Sequence, residues 1–485
     1  MSLLYWVSLP LLLASMYAIN LAFKNNYLKW IITIGIVLTI YSLSYFYYMI
    51  PSSDSQSFRG VTEYFIKTKD LDPSKPYHTY FQWPSFFLLS DMVTSVSGLN
   101  LANFEFLLYT IIGFLLATAI YVYASRAYKN EGFLAVTTFF VAMFYFLNYQ
   151  EVPFSLAFAL LFLLFILETR QKNFSVILTI IVLFTGISFI HAFVPLFFVL
   201  YLAIRCILNR SKQYGRLFLM TLIIYLLVQI TQAPLSFASN IRSMMTASSE
   251  YSSLVNYISV PVSNPIDKIA QLFSRGVTIA IVVICLAGFT ALLFKRKLRD
   301  LDKAIFLTGV VYFITGSIVY TLGSRAIPIV FIPISLGSAY LLRSRFRQYV
   351  ISLFLVLLIL FAFVPLHGAL YYTNSIFFQT KEAYQAENFF IDHYNWAKPS
   401  LILAHTSVIP YLATKQPSYV VFEDDVYSPL FPRIKEYDCI VYTLGLGINL
   451  ARYNYTIERV IYEEELNIVY SNGISYVMIK SSNFT

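Results

Sequence analysis

The amino-acid sequence predicts an α-helical polytopic membrane protein with about 12 transmembrane helices and an α/β domain after the last of them. Apolar residues make up 58% of the 485 residues and charged residues only 12%, which is about half the charged share of an average soluble protein. The apolar residues form runs of about 20, the length a helix needs to cross a bilayer, and follow no strand or amphipathic-helix period. These observations exclude a soluble globular protein.

Twelve apolar stretches are candidates to cross a hydrocarbon core of roughly 30 Å. They cover about residues 3–23, 30–50, 103–124, 133–147, 152–168, 175–190, 192–208, 217–234, 276–294, 304–322, 326–342 and 348–366.

Lysine and arginine are concentrated in every second connection between these stretches. Eighteen lie in the alternate connections that begin with Lys24 and Lys29, and eight lie in the others. Because cytoplasmic loops carry an excess of basic residues, the first set is predicted to be cytoplasmic and both termini extracytoplasmic. The formal net charge of +9 thus reflects topology and not a nucleic-acid surface. The same alternation predicts a helical hairpin that turns near His191 and Pro195.

The topology divides the chain into a transmembrane domain, residues 1–366 with an outer loop over 51–100, and an extracytoplasmic domain, residues 367–485. A second outer segment, about 235–275, predicts a short amphipathic helix and a loop. The tail holds 12 of the 25 acidic residues, and its length is sufficient to bury a core of its own. Its β-rich runs predict a small α/β domain: SLILA, SYVVF, DCIVYTL, LNIVY and SYVMIK.

Two acidic residues of the outer loop are candidate catalytic residues. Asp54, in SSDSQSF, follows the second apolar stretch closely, where an ionised carboxylate could face a lipid-borne substrate as a general base or metal ligand. The alternative is that Asp54 caps a helix that begins at Ser55. Glu63 comes nine residues later, too far round a helix to share its face, and its alternative is a solvated helix residue. Asp70 and Asp72 resemble a turn.

Other candidates could contact a sugar or a phosphate. His78, Tyr80 and Trp83 form an aromatic outer cluster that could stack on sugar rings or anchor the protein among lipid headgroups. His191 falls at the outer turn of the hairpin, where a lone histidine is either an interfacial hydrogen-bonding group or functional. Arg325 lies in a very short outer turn, where its planar fork could hold a phosphate or its side chain could extend to the headgroups.

Several common chemistries have no support in the sequence. Walker A, HExxH, CxxC and GxSxG patterns are absent, so hydrolysis driven by ATP is unsupported. The three cysteines have no paired spacing and indicate neither a disulfide framework nor a cysteine metal site. The sequons at Asn454 and Asn483 fit an outer tail.

These features together resemble the GT-C superfamily of membrane glycosyltransferases, especially prokaryotic members of the protein mannosyltransferase and aminoarabinose-transferase type. The SSDSQSF stretch is similar to that family's acidic motif in the first outer loop, and the SRAIPIVFIPIS run is similar to its arginine-led span. Family members usually place the acidic loop after the first helix, whereas here it follows the second.

The resemblance implies a donor sugar carried on a polyprenyl or dolichyl phosphate and a glycan, lipid or protein acceptor at the outer face. It implies Asp54 as the base, and Arg325 with His191 as the groups that neutralise the leaving phosphate. A divalent cation such as Mg²⁺ or Mn²⁺ stays open. The alternatives are a multi-pass transporter or a flippase or polymerase for lipid-linked glycans, although few ionisable groups lie at the membrane depth where coupled transport tends to place them.

Overall fold

A computed structural model of the protein describes most of the helical region and the strands of the tail. The residues described are 3–23, 25–47, 53–71, 81–143, 153–169, 173–234, 265–318, 323–343, 347–363, 385–386, 389–390, 393, 400–404, 420–424, 439–442, 467–471 and 476–479. The chain divides into two compact units. Unit 1 comprises Met1–Ser42, Leu108–Asn148 and Pro153–Ala369, and unit 2 comprises Leu43–Leu107, Tyr149–Val152 and Leu370–Thr485.

The described residues contain fourteen α-helices. In chain order they are α1 (Leu3–Ala22), α2 (Asn26–Tyr47), α3 (Ser53–Thr68), α4 (Ser85–Ser97), α5 (Leu101–Tyr128), α6 (Gly132–Ala142), α7 (Pro153–Glu168), α8 (Phe174–Ile190), α9 (Val194–Asn209), α10 (Lys212–Gln232), α11 (Pro265–Phe294), α12 (Asp300–Ile318), α13 (Gly323–Leu341) and α14 (Arg347–Phe363).

Each of the twelve predicted apolar stretches overlaps one of these helices, and of the described helices only α3 and α4 fall outside the stretches. Three described helices are long and apolar enough to cross a membrane, and these segments are Asn103–Tyr128, Lys212–Gln232 and Gly276–Phe294. The largest difference between a predicted stretch and its helix is at α11. This helix begins at Pro265, eleven residues before the predicted start. Proline is favoured at the first helical position because its missing N–H would have no partner there.

The helices of unit 1 expose apolar side chains outward. On α10, Leu219, Ile223, Leu227 and Ile230 are 48–56% exposed, although they belong to one of the segments long enough to span a bilayer. An apolar outer surface of this kind is stable against lipid and not against water. The protein is therefore a membrane protein.

The helix α13 is the centre of unit 1. Its backbone packs directly on α11, because a Cβ atom added at Gly337 would lie 2.1 Å from the carbonyl oxygen of Cys285 and 2.4 Å from the amide nitrogen of Phe289. On α12, a Cβ added at Gly309 would lie 2.8 Å from the backbone nitrogen of Val330. Small residues let membrane helices approach this closely, so α13 is in direct backbone contact with both α11 and α12.

The basic connections meet at one end of unit 1, called here the basic end. Helix termini on different predicted cytoplasmic connections are hydrogen-bonded to each other there. The bonds run from Tyr121 Oη to Asn26 O at 2.9 Å, from Tyr123 Oη to Asp302 Oδ1 at 2.5 Å, from Arg126 Nη1 to Thr169 Oγ1 at 2.6 Å, and from Arg343 Nη2 to Glu131 Oε2 at 2.8 Å.

A buried ionic network extends the basic end. Glu168, at the end of α7, is fully buried. Its Oε2 accepts a hydrogen bond from Tyr201 Oη at 2.8 Å, and its Oε1 accepts one from Arg205 Nη2 at 3.3 Å. Arg205 also donates to Tyr214 Oη on α10 at 2.6 Å. The connections that are rich in basic residues in the sequence therefore lie together at one end of unit 1.

Unit 2 contains α3 and α4, which pack through aromatic residues. Phe58 on α3 contacts the rings of Phe86 and Phe87 on α4, with centroids 6.3 Å apart in both pairs. Phe81 lies edge-on to Phe87 at 5.0 Å and to Phe65 at 6.0 Å. This cluster is buried, so the aromatic outer loop forms a small core of its own.

Five strands of the tail form one sheet, and each overlaps one of the β-rich runs of the sequence. They are β1 (Ser400–Ala404), β2 (Val420–Asp424), β3 (Cys439–Tyr442), β4 (Asn467–Ser471) and β5 (Tyr476–Ile479). The sheet order is β2-β1-β3-β5-β4. Strand β1 pairs in parallel with β2 and β3, whereas β5 pairs antiparallel with β3 and β4.

Candidate active site

The helix that carries Asp54 starts earlier than the sequence predicts. It begins at Ser53, so Asp54 lies in the first turn and not at the N-cap of a helix that starts at Ser55. An acidic residue in the first turn is favourable because the N-terminal end of a helix carries partial positive charge.

An arginine on the same helix lies between two carboxylates. The side chain of Arg59 is only 5% exposed. Its Nε donates to Glu63 Oε1 at 3.2 Å, and its Nη1 lies 3.8 Å from Glu105 Oε2 on α5. Because Glu105 belongs to the first turn and a half of α5, these contacts fix the middle of α3 against the start of that helix.

Glu63 was a predicted catalytic residue, and its environment is now defined. Its side chain is 17% exposed and paired with Arg59, so it is neither fully solvated nor isolated. Sequence reasoning missed Arg59 and Glu105 as partners of this group. A signal for Glu105 exists in the sequence, since it is an acidic residue inside a segment apolar enough to span the membrane, Asn103–Tyr128, and such residues are usually paired.

The end of α3 is also fastened to α4. Lys69 follows α3 with a positive φ of 56°, and its Nζ lies 2.5 Å from Asp91 Oδ1 on α4. The hydrogen bond from Lys69 holds the pKa of Asp91 below its ordinary value, with a second hydrogen bond from Ser95 acting in the same direction. Asp70 accepts a hydrogen bond from Tyr64 Oη at 2.9 Å, which agrees with a role in the turn.

The predicted sugar-contact residues are placed only in part. Trp83 is buried, with 5% exposure, which is the environment of an indole within a core and not of one in a lipid-headgroup belt. His78, Tyr80 and Asp72 lie outside the described residues. The contact of Trp83 with a sugar stays a prediction.

His191 sits in the short break between α8 and α9. Its ring is buried, and Nδ1 accepts hydrogen bonds from the backbone N–H groups of Phe193 at 3.1 Å and Val194 at 3.4 Å. The histidine thus caps the start of α9. With Nδ1 as an acceptor, a neutral imidazole carries its proton on Nε2, so Nε2 can donate to an anionic oxygen. The predicted hairpin turn lies at this break.

Arg325 is the third residue of α13. The N-terminal end of a helix favours an anion, and an arginine in the first turn adds to that positive potential. Because α13 ends near Arg343 at the basic end and α9 ends near Arg205 there, Arg325 and the His191 cap both belong to the opposite end of unit 1. Asp54 and Glu63 share α3 in unit 2.

Comparisons with known proteins show which solved structure this fold is similar to. No protein-family model matches the chain, and no curated protein matches its sequence. Among solved structures, the chain is similar to the apo crystal structure of ArnT from Cupriavidus metallidurans, with a TM-score of 0.51 and 12% identity over 92% of this chain and 97% of that chain. The chain therefore shares the overall fold of that structure. The resemblance identified from the sequence is thereby confirmed at the level of the fold.

In this chain, the acidic loop follows the second helix and not the first. The structure has α1 and α2 as separate helices before α3, so the sequence-based count of two helices agrees with it. In the part of the chain that the structure describes, no group of three or more His, Cys, Asp or Glu side chains is arranged to hold a metal ion.

Proposed function

We propose that the chain is an integral membrane glycosyltransferase that moves a sugar from a polyprenyl or dolichyl phosphate to a glycan, lipid or protein acceptor at the outer face of the membrane. The observation that carries this proposal is the GT-C fold, which matches ArnT over 92% of this chain. A fold alone does not define an activity. The residue types of Asp54, Arg325 and His191 supply the chemical argument.

The proposed topology has about 12 transmembrane helices with both termini outside. Grouping of the basic connections at one end of unit 1 supports it, since that end would face the cytoplasm under the positive-inside rule. Helix α2 starts at this end, where Asn26 accepts the bond from Tyr121. Its other end would then be outside, and α3 begins six residues after Tyr47. The sheet of the tail would belong to an extracytoplasmic α/β domain.

In the proposed reaction, Asp54 removes the proton from an acceptor hydroxyl. The hydroxyl oxygen forms the new bond to the anomeric carbon, and the bond from that carbon to the phosphate oxygen breaks with its electron pair. The leaving polyprenyl phosphate is held by Arg325 and by His191 Nε2–H, because cationic and N–H groups stabilise charge that develops on a leaving oxygen. Glu63 and Arg59 hold α3 in position.

A deletion strain provides the main test. Surface glycans and glycolipids are analysed by mass spectrometry after restoring the native chain, Asp54→Asn or Asp91→Asn at equal membrane abundance. Asp91→Asn is the matched control because it makes the same change on the neighbouring helix α4. We expect the native chain and Asp91→Asn to restore a missing sugar and Asp54→Asn to fail, since an amide does not accept the proton.

A second measurement separates transfer from transport. The purified protein in detergent is given a lipid-phosphate sugar and an acceptor, and the transferred sugar is counted. A transferase acts without a sealed bilayer, whereas a flippase or transporter yields no product. Equal activity of Asp54→Asn and the native chain would remove Asp54 from the reaction, and an unchanged glycan profile in the deletion strain would contradict the transferase proposal as a whole.

A further inference from the structure

The turn after α11 presents three consecutive basic residues at the basic end of unit 1. Lys295, Arg296 and Lys297 are all exposed. Arg347, the first residue of α14, is exposed as well, and α14 packs against α11. We propose that these four residues, called here the cationic patch, bind the phosphate groups of anionic phospholipids.

The neighbouring basic residues are already neutralised, whereas the patch is not. Arg299 pairs with Asp302, Lys303 with Asp300, and Arg343 with Glu131, at 2.7–3.0 Å. Among the described residues, no salt bridge includes a member of the cationic patch. Lys295 Nζ lies over the ring of Tyr340, 5.6 Å from its centroid. The cationic patch therefore carries positive charge that no described acidic side chain neutralises, and this charge can attract an anion.

The backbone of the turn holds these side chains in a defined arrangement. Lys297 N–H donates to Leu292 O at 3.0 Å, and Arg296 N–H donates to Leu293 O at 2.9 Å. This pair of bonds is the Schellman ending of a helix, in which the left-handed position is usually glycine. Here Arg296 occupies it with a φ of 51°. An arginine at a position that favours glycine indicates that its charge is useful there.

Exposed aromatic rings flank the patch and favour a lipid over a free phosphate ion. Phe294 is 84% exposed and precedes Lys295, and Tyr349 is 76% exposed and follows Arg347. Aromatic rings of membrane proteins concentrate at the headgroup level. Clusters of basic residues next to a membrane helix attract anionic lipids. Phosphate-binding cations beside exposed rings therefore fit a phospholipid with its headgroup on the turn and its acyl chains along the helices.

The test measures lipid binding to the purified full chain in detergent by native mass spectrometry. Phosphatidylglycerol is titrated against phosphatidylcholine for the native chain and for the triple variant Lys295→Gln/Arg296→Gln/Lys297→Gln. The control is Arg210→Gln/Lys212→Gln/Arg216→Gln, which removes the same charge from another predicted cytoplasmic connection. We expect roughly tenfold weaker phosphatidylglycerol binding in the patch variant, less than twofold change in the control, and no change for phosphatidylcholine.

Two further arms keep the proposal falsifiable. Arg296→Gly relieves the left-handed position, so it folds at least as well as the native chain and is still expected to lose part of the phosphatidylglycerol binding. Inorganic phosphate is added as a competitor. Equal losses in the patch and control variants would show general attraction to a basic surface, and displacement of the lipid by inorganic phosphate at similar concentration would show a site for free phosphate. Either result overturns the proposal.

Discussion

Arg59 on α3 and Glu105 on α5 form an ion pair within unit 2, with 3.8 Å between Nη1 and Oε2. The two residues are 46 positions apart in the sequence, and the pair joins the helix that carries Asp54 to the first turns of a helix long enough to span the membrane. Because Glu63 binds the other side of the same guanidinium, Arg59 is the residue that holds these elements together.

Replacing Arg59 with glutamine should therefore destabilise the protein strongly. Two carboxylates that are only 17% and 23% exposed would be left without their shared cation, and breaking a buried pair typically costs about 3–5 kcal/mol. The thermal unfolding midpoint of the purified protein in detergent measures this. Lys69→Gln is the matched control. The side chain of Lys69 in its ion pair with Asp91 is largely exposed, and an exposed pair contributes roughly 0–1 kcal/mol. Similar shifts in both variants would contradict the role of Arg59.

The buried network at the basic end predicts a graded loss of stability. Tyr201→Phe removes one hydrogen bond to the carboxylate of Glu168 and should cost about 1.5–3 kcal/mol. Arg205→Gln removes the only basic side chain that pairs with this carboxylate in the described part of the chain and should cost more. Unfolding in detergent ranks the two variants, and a larger effect of Tyr201→Phe would contradict the arrangement.

The contact of α11 with α13 predicts that Gly337→Ala is poorly tolerated. An added methyl group would meet backbone atoms of α11 at 2.1 and 2.4 Å, and backbone cannot rotate away as a side chain can. Overpacking of this kind costs about 1–3 kcal/mol or more. The control is Gly186→Ala on α8, where nothing lies within 4 Å of the added Cβ and helix propensity should raise stability by about 0.5–1 kcal/mol. The purified yield and the thermal unfolding midpoint of the two variants check both expectations. Equal yield and equal midpoint for Gly337→Ala and Gly186→Ala would contradict the close approach of α11 and α13.

The ion pair of Lys69 with Asp91 predicts a small dependence of stability on pH. The pKa of Asp91 is lowered in the folded protein, chiefly by the hydrogen bond from Lys69. A lowered folded-state pKa means that the pair stabilises the protein above the ordinary aspartate range and that this contribution is lost as the pH falls through the folded pKa. The difference in unfolding midpoint between the native chain and Asp91→Asn should be small at about pH 7 and should disappear in acid. A difference that grows in acid would contradict the assignment.

The left-handed turn predicts opposite effects of one substitution on stability and on binding. Arg296→Gly removes a side chain from a φ of 51° and should raise stability by about 1 kcal/mol, while it removes one charge from the cationic patch. Arg296→Gln, which keeps the strain and removes the charge, is the comparison for lipid binding. Unfolding is measured in neutral detergent without added lipid. A loss of stability in Arg296→Gly would mean that the arginine makes contacts that outweigh the strain.

The sequence was sufficient to locate the helices of the twelve apolar stretches, because long apolar runs predict membrane helices without tertiary information. It did not give the start of α11 at Pro265. It was also sufficient for the placement of the five strands, which alternate with polar segments in the tail. The charge alternation was sufficient to group the connections, and the hydrogen bonds of Tyr123 with Asp302 and of Arg343 with Glu131 show the same grouping.

Other features depended on the tertiary structure. The partner of Arg59 lies on a different helix, and His191 caps α9 through backbone groups that sequence spacing does not reveal. The burial of Trp83 is likewise not given by its position in an aromatic run.

The sequence by itself determined that this is a membrane protein and where most of its helices lie, because the bilayer acts on each segment according to its own composition. Only the tertiary structure decided which charged groups neutralise each other and which remain available. That distinction depends on distances between side chains far apart in the sequence, as in the pairing of Arg343 with Glu131.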